Sequence, residues 1–240
     1  HTVIESTGVF TKEEDAKMHV DAGAKVVVIS GPTSSGGVPT VVHGVNTKDG
    51  SNTIFSCASC TTNNISPVIE ILGRTIGIKK AIMTTIHANT ASNTMVDAPS
   101  KKTRMGRSGI NNLIPTTTGA ATATTKAMPQ YAGRFDGMAI RVPLAVGSVS
   151  DITIVMERGT SVSEINEILT KEAATDRYQK VIRVSNDPIV SSDIIKDPHA
   201  AVIDLEMTKV VDGDLVKVLA WYDNEWGFAN QMIREIIANH

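Results

Sequence analysis

TKEEDAKMHVDAGAKVVVIS, residues 11–30, reads as a helix running into a buried strand, and the short apolar run Thr2-Val3-Ile4 ahead of it completes a strand–helix–strand unit. Thr11-x-x-Glu14 has the spacing of a capping box, in which a hydroxyl and a carboxylate satisfy N–H groups left free in the first turn, and Gly23 supplies the stop. Lys25-Val26-Val27-Val28-Ile29-Ser30 is apolar without alternation, as strands covered on both faces of a parallel sheet are. Doubly wound sheets bind ligands beyond the carboxyl ends of their strands, which puts residues 6–8 and 30–32 on the candidate binding edge. Ser34-Ser35-Gly36-Gly37 then reads as a surface loop.

From residue 60 onward the texture changes. Long β segments at 81–87, 138–142, 152–156 and 216–222 suit a mixed or antiparallel sheet, with helices over one side. Ser161-x-x-Glu164 caps a helix that carries Ile165, Ile168 and Leu169 on one face, and Phe228, Met232, Ile233, Ile236 and Ile237 repeat with the same period. The expected class is α/β.

At 240 residues, 41% hydrophobic and 20% charged, the chain can bury a core, which excludes a disordered or fibrous protein. Its 23 basic and 25 acidic residues leave a net charge of -2, so no broad field favours nucleic acid or anionic lipid, and neither partner is expected. Apolar runs stay far below the ~18 residues of a membrane span, and the opening resembles no targeting segment; the expectation is a soluble, cytoplasmic protein. Two cysteines, Cys57 and Cys60, build no disulfide framework and fit a reducing compartment. The chain opens on His1 directly before a strand, as if it began inside a domain.

Ser59-Cys60-Thr61-Thr62-Asn63-Asn64 joins a strand at 53–55 to a helix carrying Val68, Ile69, Ile71 and Leu72. Cys60 therefore sits at a helix N-terminus, where free N–H groups and the dipole favour a thiolate and should pull its pKa below ~8.5. It reads as a nucleophile, as a buried turn cysteine, or as half of a Cys57-x-x-Cys60 redox pair. His87, at the end of a strand over 79–87, could pair with it and carry a proton; alone it could equally be structural. The remaining histidines have no metal-ligand spacing with either cysteine, and no metal is expected. The run Pro115-Thr116-Thr117-Thr118-Gly119-Ala120-Ala121 begins another helix, either as a phosphate cradle or with Thr118 as a simple cap. Arg141, inside an apolar strand, needs an anionic partner, which a substrate phosphate or an internal carboxylate would provide. The basic loop 101–107 is compatible with polyanion binding or with a solvated surface.

Five motifs in order resemble glyceraldehyde-3-phosphate dehydrogenase: Ala58-Ser59-Cys60-Thr61-Thr62-Asn63, Thr84-Thr85-Ile86-His87-Ala88, the segment 114–121, Arg141-Val142-Pro143, and Trp221-Tyr222-Asp223-Asn224-Glu225-Trp226-Gly227. The resemblance begins at Glu5-Ser6-Thr7-Gly8-Val9-Phe10 and lacks the family's first strand, glycine-rich turn and ribose-binding acid. It implies the C-terminal half of a Rossmann-like parallel-sheet domain plus an α+β catalytic domain with a mixed or antiparallel sheet. The implied boundaries are a partial NAD(P)-binding domain over 1–60, completed by a terminal helix over 225–240, and a catalytic domain over 61–224.

By the same resemblance, Cys60 attacks the aldehyde of glyceraldehyde 3-phosphate and His87 takes the proton as hydride leaves for NAD or NADP. Inorganic phosphate then cleaves the thioester to 1,3-bisphosphoglycerate. Thr90 and Arg141 would hold the substrate phosphate, and Ser59, Thr61, Thr118 and Gly119 the attacking one. Asn224 would bond the nicotinamide carboxamide, while Ser6, Thr7, Gly8, Phe10 and Ser30 line the adenosine side. Loop 101–107 would pack between subunits of a homotetramer. Departures are Cys57 where the family usually has Asn, Asn64 where many members carry a second cysteine, and Phe228 for a frequent Tyr. The alternatives are erythrose-4-phosphate dehydrogenase, or an inactive fragment with a binding or redox role. As an N-terminally truncated member, the chain alone is expected to bind dinucleotide poorly and turn over little.

Overall fold

The protein is described by a computed structural model covering residues 1–47 and 52–238. Two sheets organise it. In the first, β1 (Thr2–Glu5), β2 (Val26–Ile29) and β3 (Ile54–Ser56) run parallel, with Glu5 level with Ile29 and Ile29 level with Ser56. Their carboxyl ends therefore share one edge. The crossover helix α1 (Glu13–Asp21) packs Ala16 and Val20 on Val27 and Ile29. On the other face lies the terminal helix α5 (Trp226–Ala238), whose Phe228, Met232 and Ile236 cover Val28, Val41, Phe55 and Cys57. Both faces of β2 are thus covered, which is why its sequence shows no polar alternation. Of the terminal helix expected over 225–240, residues 239 and 240 lie outside the described residues.

The capping box expected at Thr11 does not form. Lys12 is the N-cap residue of α1 and offers no side-chain acceptor; Ser35, from the loop after β2, accepts the Glu13 N–H at 2.9 Å instead. Glu13, Glu14 and Asp15 in the first turn then complement the helix dipole. A cap supplied from 22 positions away has no local signature.

The second sheet has seven strands in the order β5-β6-β4-β7-β10-β9-β8: β4 (Ile78–Ala88), β5 (Ile114–Thr117), β6 (Phe135–Val142), β7 (Ser148–Met156), β8 (Ile182–Ser185), β9 (Ala201–Val211) and β10 (Leu215–Tyr222). Pairs β4/β6 and β8/β9 are parallel and the others antiparallel. Three helices, α2 (Cys60–Thr75), α3 (Ala120–Ala127) and α4 (Val162–Ala173), pack into the same core as one face of the sheet. Ile65, Ile69 and Leu72 of α2 meet Met83, Ile152, Ile154 and Val218 there, each residue essentially fully buried. At about 1.5–3 kcal/mol per such side chain, this layer dominates the apolar stabilisation. The opposite face leaves Ile82, Met138 and Leu215 exposed.

Two expectations are corrected here. Residues 114–117 are an edge strand rather than a helix start, which suits Pro115 because an edge position does not require its missing N–H. Helix α3 begins at Ala120 with Gly119, not Thr118, as N-cap, although the Thr118 hydroxyl still accepts the Ala120 N–H at 3.2 Å. Strands β8 and β9 had no clear alternation to betray them, since β9 buries a charged residue: Asp204 is satisfied by the Trp221 indole N–H at 3.1 Å and the Met207 N–H at 3.3 Å.

Candidate active site

The parallel register of β4 and β6 sets His87 directly beside Arg141. Side chains two residues apart on a strand share a face, so Thr85, His87, Ala139 and Arg141 all line one cleft of about 250 Å³ at the carboxyl ends of these strands. Helix α2 packs on that same face and points its first residue, Cys60, into the cleft; the Cys60 Sγ lies 3.4 Å from His87 Nε2. Thr90, Thr118 and Gly119 complete the rim.

Several bonds fix the cysteine. Ser59 caps α2, its hydroxyl accepting the Thr62 N–H at 3.1 Å and lying 2.8 Å from the Thr62 hydroxyl. Ala58 has φ +58°, a left-handed conformation that costs a residue with a Cβ about 1–2 kcal/mol. The turn is held from both sides by Asn63, whose amide donates to the Cys57 and Ser59 carbonyls at 2.8 and 2.9 Å. Beneath the pair, Tyr222 is 1% exposed; its hydroxyl lies 2.9 Å from that of Thr61 and 2.8 Å from that of Thr85, and its ring meets the His87 ring edge-on at 5.9 Å. One residue of β10 thereby ties α2 to β4. Tyr222 and Asn63 were present in the motifs but carried no assigned role; the alternation of β10 and the spacing from Cys60 were the signals available.

The Ala88 carbonyl lies 2.7 Å from His87 Nδ1 and accepts from Arg141 Nη1 at 3.1 Å. Nδ1 can donate to that carbonyl or accept from Arg141 Nη1 at 2.6 Å, not both; with its proton on the carbonyl side, the Nε2 lone pair faces the thiol. Burial and the Arg141 charge, whose Nη1 is 2.6 Å from Nδ1, depress the His87 pKa to about 4, so the ring is neutral at neutral pH. Burial also pushes the Cys60 thiol up, against the lowering expected from the helix start; the Thr61 N–H and hydroxyl and the Arg141 charge pull the other way without prevailing. The resting pair is thus a thiol facing an imidazole base. Cys57 is 2% exposed, and burial with the nearby Glu235 charge raises its thiol far above the ordinary range. Arg141 itself has no carboxylate partner among the described residues, and its buried Nε has no hydrogen bond.

The other expected residues lie around this centre. Thr90 bonds Ser92 hydroxyl to hydroxyl at 2.9 Å. Asn224 accepts from the Gly147 N–H at 3.2 Å and the Ser148 hydroxyl at 3.0 Å, and that hydroxyl accepts the Ala88 N–H at 3.1 Å, so Asn224 is braced against the end of β4. Ser6, Thr7, Gly8 and Ser30 follow β1 and β2 on their shared edge. Thr7 turns both its N–H and its hydroxyl, at 2.8 and 2.5 Å, onto the Glu5 carboxylate, which also bonds His19 at 2.9 Å; Phe10 stands edge-on to that His ring. Those contacts hold the Glu5 carboxyl below its ordinary range even though burial opposes them. Gly8 has φ +74° with no atom within 4 Å of where a Cβ would stand, and it leaves open backbone at this edge. Pro32, just past β2, lines the Cys60 cleft, so the first sheet's edge opens onto the reactive centre. No group of three metal-ligating side chains occurs among the described residues. No helix among them is long and apolar enough to cross a membrane.

A family model described as glyceraldehyde 3-phosphate dehydrogenase, C-terminal domain, matches residues 59–224. The chain is similar to glyceraldehyde-3-phosphate dehydrogenase of Mycobacterium tuberculosis, with 47% identity over 233 residues that cover 96% of this chain and 68% of the relative. The protein of the same name from Mycolicibacterium smegmatis is 45% identical over 232 residues, covering 96% and 67%. Glyceraldehyde-3-phosphate dehydrogenase 2 of Streptomyces avermitilis is 44% identical over 234 residues, covering 96% and 69%.

Proposed function

The chain belongs to the glyceraldehyde-3-phosphate dehydrogenase family, and on that premise we propose that Cys60 and His87 carry the family's reaction in the cleft where β4, β6 and α2 meet. That reaction oxidises and phosphorylates glyceraldehyde 3-phosphate to 1,3-bisphosphoglycerate with a nicotinamide cofactor. The observation that carries the assignment is the 3.4 Å approach of the Cys60 sulfur to a neutral imidazole nitrogen.

In this reading His87 Nε2 takes the thiol proton as Cys60 Sγ bonds to the aldehyde carbon, and returns it to the carbonyl oxygen to give a hemithioacetal. A nicotinamide, of NAD or NADP, held by the residues named below, would supply the acceptor for the hydride that leaves this carbon. His87 then holds the hydroxyl proton, which leaves a thioester on Cys60. An oxygen of inorganic phosphate attacks the thioester carbon, the C–S bond breaks, the thiolate recovers its proton from His87, and the phosphate's own proton passes to solvent. Positioning by two anion sites is the main aid to rate. Arg141 and Thr90 hold the substrate's phosphate; the unbonded Arg141 Nε supports this. Ser59, Thr61, Thr118 and Gly119 surround the attacking phosphate. Asn224, with its amide oxygen already engaged, keeps its NH₂ to orient the nicotinamide carboxamide. Ser6, Thr7, Gly8, Phe10 and Ser30 line the adenosine side, which the open backbone at Gly8 suits.

We further infer a dinucleotide-binding part over 1–60 closed by α5, a catalytic part over 61–224, a cytoplasmic location, and a homotetramer in which loop 101–107 and the apolar sheet face at Ile82 and Met138 are covered. The test is formation of reduced nicotinamide and acyl phosphate, however slow, by the purified chain at saturating dinucleotide. Cys60→Ser should abolish it, and retained turnover would exclude Cys60 as the nucleophile.

A further inference from the structure

Pro32 and Gly119, which wall the Cys60 cleft on one side, also wall a second pocket of about 230 Å³. It opens between α3, through Thr122 and Lys126, and the loop after β2, through Thr33 and Thr40. Thr33 and Thr40, 6% and 8% exposed, are its most buried polar lining residues. The Thr33 hydroxyl accepts the Ser35 N–H at 3.1 Å and keeps its own proton to donate. Lys126 Nζ reaches across to the Thr33 carbonyl at 3.1 Å, which holds the ammonium at the pocket wall with two protons to spare. Among the described residues no carboxylate lines this pocket, and Lys126 makes no ion pair.

Hydroxyl donors, a held ammonium and no acidic group select an oxyanion. We propose that this pocket is a third anion site, outside the Cys60 cleft, that takes inorganic phosphate and holds it one residue wall away from the helix start where it reacts. The proposal rests on the phosphate-consuming reaction assigned above. Free phosphate rather than a phosphate ester is assigned because the reaction proposed above consumes it and Pro32 and Gly119 line both this pocket and the cleft.

The test is amide chemical shifts of the full chain titrated with inorganic phosphate. Thr33, Thr40 and Lys126 should shift with a saturable dependence that Lys126→Met weakens about tenfold and Lys126→Arg largely preserves. The slowing of Cys60 alkylation by phosphate should persist in Lys126→Met, because it reports the cleft. Unmoved signals at Thr33 and Thr40, or a titration indifferent to Lys126→Met, would overturn the site. Tighter binding of glycerol 3-phosphate than of phosphate at these signals would overturn the assignment to the free ion. Loss of turnover in Cys60→Ser is a separate readout, so the site can fail while the catalytic assignment stands.

Discussion

Arg141 acts on two titrations at once. Its charge favours the Cys60 thiolate and disfavours the His87 imidazolium. Arg141→Leu should therefore move the midpoint of Cys60 alkylation by iodoacetamide to higher pH and the His87 imidazole titration, followed by NMR, upward toward its ordinary value. An unchanged pair would mean the guanidinium is screened from both. Joined to a relative's N-terminal segment, which supplies the dinucleotide site, the same variant should raise KM for the phosphorylated aldehyde far more than for glyceraldehyde, and an equal loss on both would assign Arg141 to the fold. Cys60 should alkylate well before Cys57, which is buried; equal labelling would remove Cys60 as the reactive thiol. At this scale the sequence was informative because Cys, His and Arg carry their chemistry in their identity. The balance of burial against helix dipole at Cys60 was not legible, since it depends on how much water the cleft admits.

Helix α2 brings the nucleophile to the sheet, and its first turn rests on Ser59 and Tyr222. Ser59→Ala should cost about 1 kcal/mol in urea unfolding, the usual worth of an N-cap, and slow Cys60 alkylation; no change in either would show that Asn63 alone holds the turn. Tyr222→Phe keeps the ring against His87 but leaves the Thr61 and Thr85 hydroxyls without their shared partner, a loss of about 1–3 kcal/mol for buried groups. A neutral outcome would mean that the two hydroxyls find other partners. Strand–helix punctuation around Cys60 and the periods of α4 and α5 were readable from residues alone. The edge strand β5 and the cap of α1 were not, because the first depends on sheet order and the second on a distant serine.

For the whole molecule, acid stability should fall in two stages. His87 has a folded pKa of about 4 against 6.5 unfolded, so the unfolded chain binds the extra proton and stability, complete above 6.5, is lost as pH falls toward 4, by about 3 kcal/mol. Asp197 would be raised by burial, but His199 and Arg183 hold it at about 2 against 3.8, so its contribution of about 2 kcal/mol disappears between those values. Denaturant midpoints against pH should show the upper stage vanish in His87→Gln and the lower in Asp197→Asn; a single stage in the parent chain would contradict this. The division into a parallel and a mixed sheet was legible because apolar runs differ from alternating ones. The shared pocket wall at Pro32 and Gly119 was not, as it joins residues far apart in the chain. The placement of α5 also bears on biosynthesis. Val28, Phe55 and Cys57 precede in the chain the helix that covers them, so they leave the ribosome before it. Until α5 emerges the first sheet carries a naked apolar face that a neighbouring nascent chain can join, so slowing synthesis between residues 57 and 226 should increase aggregation while slowing it after α5 should not.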